Sequence, residues 1–175
     1  NSYKEDIMGK IIDTSIDGFK IRFAEEKDVS LILSFIKGLA EYEKLSNEVV
    51  ATENILRESL FKEKAAEVII GEYNGEPVGF ALFFHNFSTF LGRPGLYLED
   101  LFIIPEMRGK GFGKTMLSFL AKIAVDRNCG RFEWWCLDWN EPSIKFYKSI
   151  GAVLMEGWTT FRVTGKELID LAEGV

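Results

Sequence analysis

The sequence predicts one α/β domain, a mixed central sheet flanked by helices, and three observations carry that expectation. Strand-like alternation and helix-like spacing replace one another along the chain. An Asn-Gly pair separates two apolar runs, and a glycine-rich loop joins a strand to an amphipathic helix. With 175 residues, 47% of them apolar and 27% charged, the chain suits one ordered domain with a sizeable core.

Residues 1–18 carry no clear period and read as an N-terminal extension of uncertain order, leaving 19–175 as the domain. Phe19, Ile21 and Phe23 alternate with Lys20 and Arg22, which predicts a first strand over 19–24. Asp28 is placed to cap a helix whose apolar stripe runs through Val29, Ile32, Leu33, Phe35, Ile36, Leu39 and Ala40 to about Tyr42. A short helix is expected near 52–61. Residues 67–73 and 77–87 read as a hairpin, because Asn74 and Gly75 both tolerate the positive φ of a tight turn. A strand over 95–104 is stopped by Pro105, and Met116, Leu117, Leu120, Ile123 and Ala124 mark a helix over 111–128. A strand over 131–137 and a short helix over 142–150 follow. Val153–Met155 and Trp158–Val163 suggest a last hairpin, and 166–172 a terminal helix.

A net charge of −6 argues against non-specific nucleic-acid binding, which needs a basic surface to release phosphate counterions. It accommodates a cationic small substrate. Two cysteines, Cys129 and Cys136, with one histidine, His85, are too few for a zinc site of those residues, so no metal is expected. No apolar run reaches the ~18 residues of a membrane span and nothing reads as a signal peptide, so a soluble cytoplasmic protein is expected.

The most informative stretch is Arg108-Gly109-Lys110-Gly111-Phe112-Gly113-Lys114-Thr115. Alternate glycines let several backbone N–H groups turn toward one point, and a helix start adds partial positive charge, which together suit phosphate oxygens. The nucleotide-triphosphate loop needs a glycine where Arg108 stands. The dinucleotide fingerprint needs one where Met116 stands. What does match is R-x-x-G-x-G/A, with Arg108, Gly111 and Gly113 behind the acidic-centred strand Leu96-Tyr97-Leu98-Glu99-Asp100-Leu101-Phe102-Ile103-Ile104-Pro105.

In that ordered set the chain resembles the GNAT superfamily of N-acetyltransferases, whose loop holds the pyrophosphate of coenzyme A. Four segments are similar to the diamine branch, the spermidine/spermine and thialysine acetyltransferases. They are Leu96–Asp100; Asp138-Trp139-Asn140-Glu141-Pro142-Ser143 with Phe146-Tyr147-Lys148; Glu156-Gly157-Trp158; and, more faintly, Leu39–Glu43. The resemblance covers Phe19 to Glu173. Between Gly151 and Glu156 the chain is shorter than the animal spermidine enzymes, so its substrate end differs.

The resemblance implies a GNAT-like fold, acetyl-coenzyme A as co-substrate and a homodimer. For the coenzyme it points to Leu101, Phe102 and Ile103 on the strand and to Arg108, Gly109, Lys110, Gly111, Phe112, Gly113 and Lys114 in the loop. It adds Asn140 and Ser143 for the pantetheine arm. Tyr147 is the implied acid for the leaving thiolate, and its phenol, with a pKa near ~10, suits a thiol. Glu99 is the implied base or amine-binding group, since an alkylammonium of pKa ~10.4 must lose a proton to react. Adjacent strand residues face opposite sides, so Glu99 and Asp100 should divide between the cleft and the far face unless a bulge intervenes. Carboxylates and aromatic faces attract ammonium groups, which makes Tyr42, Glu43, Glu99, Asp100, Glu133, Trp134, Trp135 and Glu156 candidates for the acceptor site. Three functions stay open: acetyl transfer to a polyamine or thialysine-like amine, transfer to another amine such as an amino acid, aminosugar or protein lysine, and a non-catalytic coenzyme A sensor.

Overall fold

The computed structural model describes residues 9–175, so residues 1–8 of the expected N-terminal extension lie outside the described part. The chain divides into two compact units, one running through Trp135 and the other from Cys136 to Val175.

The first unit holds a six-stranded sheet in sequence order: β1 (Ile11–Asp13), β2 (Phe19–Phe23), β3 (Glu67–Tyr73), β4 (Glu76–Ser88), β5 (Arg93–Ile103) and β6 (Arg131–Trp134). Neighbours pair antiparallel except β5 and β6, which are parallel and therefore need a crossover helix. The strand β1 lies inside the expected extension. Three residues are too few to show a period, and pairing with β2 alone defines this strand. The hairpin between β3 and β4 turns on Asn74 at φ 51° and Gly75 at φ 84°, as that dipeptide predicts.

On one face lie α1 (Val29–Tyr42) and α2 (Glu53–Leu56), the latter continuing as a π-helical stretch to Lys62. Val29, Ile32 and Phe35 of α1 form a buried cluster with Leu56, Leu60, Val68, Ile70, Phe80 and Phe102. Gly38 is required here, because a Cβ would stand 2.8 Å from the Phe102 ring. That close approach brings the C-terminal end of α1 down onto β5. Asp28 precedes α1 without capping it. Its carboxylate instead takes both guanidinium ends of Arg22 at 2.7 and 2.9 Å and the Glu25 N–H at 2.7 Å. A nearly buried arginine outcompetes the helix start for this acceptor.

The crossover helix α3 (Phe112–Asp126) covers the opposite face, with Phe112 stacked on Phe19 at 4.2 Å and Met116 beside Gly71. In the second unit α4 (Glu141–Ser149) and α5 (Gly165–Ala172) form as the spacing predicts. The expected hairpin over 153–163 does not: no strand occurs in that stretch. Alternation gives a segment strand preference, but a strand exists only with a ladder partner, and among the described residues none pairs with this stretch.

Candidate active site

Two devices on β5 build the site. The first is a bulge. Leu82 of β4 pairs with Asp100, yet its neighbour Phe83 pairs with Leu98, so Glu99 is an extra residue on β5. Asp100 lies two residues from Phe102 and opposite Leu82, both of which pack with α1. Tyr97 lies opposite Phe84, two residues beyond Leu82, with the rings 5.1 Å apart. Tyr97 and Asp100 therefore share a face although three residues apart, which regular alternation forbids and a bulge allows. Glu99 acts electrostatically on both. Asp100 therefore lies on the face of Tyr97, while Glu99, the extra residue of the bulge, is exposed and unpaired, so the regular alternation behind the expected division is broken at this point.

The electrostatics follow from that crowding. Burial, then Glu99 and then Glu43 push the Asp100 carboxyl up to about 6. Burial also raises Glu43, which follows the last turn of α1. Tyr97 is pushed up to about 12 by burial and by Glu99, Glu133 and Asp100. The Asp100 and Tyr97 shifts, set first by burial, also report negative charge gathered on one half-buried face, where a cation would relieve it. Glu133 is the register partner of Tyr97, and Trp135 meets the Tyr97 ring edge-on at 6.2 Å, so both belong to this face. Trp134 alternates to the opposite one, with its ring packed against Phe132 at 5.0 Å. Tyr97 was not singled out from sequence as a site residue. The sequence carries no phase that marks the bulge, because Leu101, Phe102, Ile103 and Ile104 are all apolar, and only the pairing with β4 reveals it.

The second device is an open strand edge. Pairing between β5 and β6 ends at Leu98–Trp134. Ile104 donates its N–H to Val78 of the β4 side. Backbone groups alternate edges along a strand, so those of Leu101 and Ile103 point away from β4, into the edge that β6 no longer covers. This is where strand-like pairing with an extended amide arm is available. The Arg108 Nε–H reaches the same edge, donating to Ile103 O at 2.9 Å. Its guanidinium also lies 4.6 Å from the Tyr42 ring centroid and 5.4 Å from that of Phe102. Arg108 therefore ties the end of α1 to the glycine loop.

The loop itself fits a pyrophosphate. Gly109 at φ 76° and Gly111 at φ 84° adopt a conformation that side chains resist, and the space before Gly109 is open. The first N–H groups of α3 have no intrahelical acceptor, and Lys110 and Lys114 are exposed beside them. Phe112 and Phe102 contribute through backbone or packing alone, since both rings are buried. In the second unit Asn140 precedes α4, and Ser143 and Tyr147 stand one turn apart on it, hence on one face. Asn140 Oδ1 is buried with no hydrogen-bond partner among the described residues. Glu156 lies in an exposed turn after α4. Among the described residues no group of His, Cys, Asp or Glu is assembled to hold a metal ion, and no helix is long and apolar enough to cross a membrane.

Residues 36–152 match the family model described as the acetyltransferase (GNAT) family. The chain belongs to that family. A thialysine N-epsilon-acetyltransferase of Sus scrofa is 39% identical over 166 residues, covering 87% of this chain and 96% of the relative. A spermidine/spermine N(1)-acetyltransferase-like protein 1 of Homo sapiens is 34% identical over 91% of this chain, which spans 24% of that longer protein. Among solved structures, an integron cassette protein of V. cholerae superposes with a TM-score of 0.74 at 30% identity, covering 89% of this chain and 98% of its own. GNAT acetyltransferases use acetyl-coenzyme A as co-substrate, and the open edge and the glycine loop of this GNAT chain are what such a molecule requires.

Proposed function

We propose that this GNAT enzyme moves an acetyl group from acetyl-coenzyme A to the primary amine of a small cationic acceptor. The observation that carries the reading is the bulge that sets Asp100 on the face of Tyr97, within the field of Glu99 and Glu43 and next to the open edge at Leu101. Acetyl-coenzyme A supplies the activated acetyl group when bound; the chain's own residues supply the rest. Orphan N–H groups at Gly111–Lys114, with Lys110 and Lys114, hold the pyrophosphate. The Leu101 and Ile103 edge aligns the pantetheine arm, and the Leu101 N–H polarises the thioester oxygen. Asn140 and Ser143 contact the same arm. Glu99, Asp100 and Glu43 draw the ammonium in, and Glu99 takes its proton, directly or through a water. Tyr147 returns a proton to the departing thiolate. Tyr42, Glu133, Trp135 and Glu156 complete the acceptor contacts.

The names of the relatives support an amine acceptor, and a cytoplasmic homodimer is part of the proposal. Thiol release from acetyl-coenzyme A with thialysine, lysine, spermidine, putrescine, an aminoglycoside and a basic peptide tests it. Turnover confined to the small diamino acceptors is the expected result; turnover on the peptide or the aminoglycoside alone would move the function to that class. Replacing Gly111 by valine forces a branched side chain into φ 84° and is expected to weaken acetyl-coenzyme A binding about tenfold or more, read by calorimetry.

A further inference from the structure

Residues 14–18 join β1 to β2 and precede Phe19, where the likeness to the diamine acetyltransferases begins, so no role carries over to them. Thr14-Ser15-Ile16-Asp17-Gly18 is a polar turn sequence with a single apolar residue in it. A turn needs no isoleucine, yet Ile16 is half-buried. What it covers is the glycine loop. A Cβ on Gly111 would stand 3.4 Å from Ile16 Cδ1, whereas one on Gly109 would meet open space and one on Gly113 would stand 3.9 Å from Ile103. Gly111 precedes α3 at φ 84°, and its carbonyl takes the Thr115 N–H and the Thr115 hydroxyl, both at 3.0 Å. The helix therefore holds one side of Gly111, and Ile16 closes on another.

The turn that carries Ile16 is itself fixed. The Thr14 hydroxyl donates to Phe19 O at 2.7 Å and accepts the Ile16 N–H at 3.2 Å. Phe19 donates its N–H to Ile16 O at 3.0 Å, and Asn74 of the β3–β4 turn donates its own to Gly18 O at 2.9 Å. Gly18, at φ 74°, leaves no room for a Cβ, which would stand 2.5 Å from Asn74 Oδ1. Just beyond, Phe19 stacks on Phe112, the first residue of α3, and the Tyr73 ring lies 5.0 Å from the same partner. The connection is pinned to the sheet on one side and rests on the loop with the other.

Such a support has a use. A loop with glycines at 109, 111 and 113 has many conformations to lose, and a ligand that must order it gives up affinity. Fixing one residue's backbone is worth roughly tenfold in an equilibrium constant. A side chain that holds Gly111 in its left-handed conformation before the ligand arrives removes that cost. We infer that Ile16 is a positioning residue for the glycine loop: through Gly111 it pre-orders the backbone N–H groups that receive the coenzyme's pyrophosphate, so the β1–β2 connection sets coenzyme affinity. The inference rests on the acetyltransferase reading of the loop and adds a residue from outside it.

Ile16→Ala tests it, with Ile16→Leu, which keeps a δ-methyl, as the conservative control. In the free protein, hydrogen exchange of the 109–113 amides is expected to quicken about fivefold in Ile16→Ala and to return toward the intact rate in Ile16→Leu. Kd for coenzyme A, read by calorimetry, should rise about five- to tenfold in the alanine variant. In turnover, KM for acetyl-coenzyme A should rise by the same factor with kcat retained. For S-acetylpantetheine, which has no pyrophosphate, kcat/KM should stay unchanged. Thr14→Val removes the hydroxyl that holds the turn but keeps Ile16, and should show a smaller loss of the same kind. A packing residue would lower Tm and slow both donors alike. That result, or unaltered exchange and Kd in Ile16→Ala, overturns the inference and leaves the acetyltransferase reading standing. An intact enzyme that binds no coenzyme A, or shows no preference for acetyl-coenzyme A over S-acetylpantetheine, overturns the reading of the loop and the inference with it.

Discussion

Replacing Tyr147 by phenylalanine is expected to lower kcat by roughly 10²–10³-fold, the usual worth of a positioned general acid. The substitution removes one oxygen from a half-buried ring that lies 5.6 Å from Phe146, so α4 should stay folded. Steady-state kinetics at several pH values distinguishes a proton donor from a packing residue. A donor lost from the site depresses kcat while KM for acetyl-coenzyme A holds. A packing residue would depress Tm and both parameters together. A kcat unchanged in Tyr147→Phe would take the acid role away from this residue and leave protonation of the thiolate to solvent.

Asp100→Asn should act in opposite directions on stability and on activity. The folded carboxyl is held near 6, above its ordinary 3.8, chiefly by burial and then by Glu99 and Glu43. Between those values the folded chain binds more protons than the unfolded one, so stability falls as pH rises through the window. Above it the ionised group costs on the order of 2 kcal/mol, and the amide variant is expected to melt about 4–8 °C higher at pH 7. Below about pH 4 the difference should vanish, since the acid is then neutral in both states. Activity should move the other way. An acceptor ammonium relieves the same repulsion, so kcat/KM is expected to climb through pH 6 as Asp100 ionises. Asp100→Asn should flatten that limb and lower kcat/KM at neutral pH by about 10–100-fold, the cost of losing one partner of a half-buried charge pair. Thermal melts and pH–rate profiles read the two effects. A variant neither stabilised nor impaired would mean that Asp100 does not face the acceptor.

What the sequence disclosed, and what it hid, follows from how each feature is encoded. The Asn74-Gly75 turn and the glycine loop are local: backbone geometry demands those residue types, so they can be read without a partner. The helices were legible because their stripes are long. The bulge at Glu99 was hidden in a run where residues 101–104 are all apolar, and it decides that Asp100 shares the face of Tyr97. Features that depend on distant partners were hidden. The carboxylate of Asp28, a plausible cap by position, is taken by Arg22, and β1 exists only through β2. Trp134 and Trp135 were separable by alternation onto two faces, yet only the contact of Trp135 with Tyr97 tells which face is which. The 153–163 stretch has the composition of strands and forms none, since alternation expresses a preference that a partner must complete.

The measurement that tests the central claim most directly is mass analysis of the acceptor after incubation with the enzyme and acetyl-coenzyme A. Thiol release alone also follows from hydrolysis, so the acceptor itself must be weighed and its acetylated nitrogen located. The arrangement around Glu99, Asp100 and the open edge of β5 predicts one acetyl group on the terminal amine of a small cationic acceptor, absent when acetyl-coenzyme A is omitted and strongly reduced in Glu99→Gln and Tyr147→Phe. Unmodified acceptors throughout, with acetyl-coenzyme A bound but intact, would contradict it and make the chain a coenzyme A-binding protein rather than a transferase.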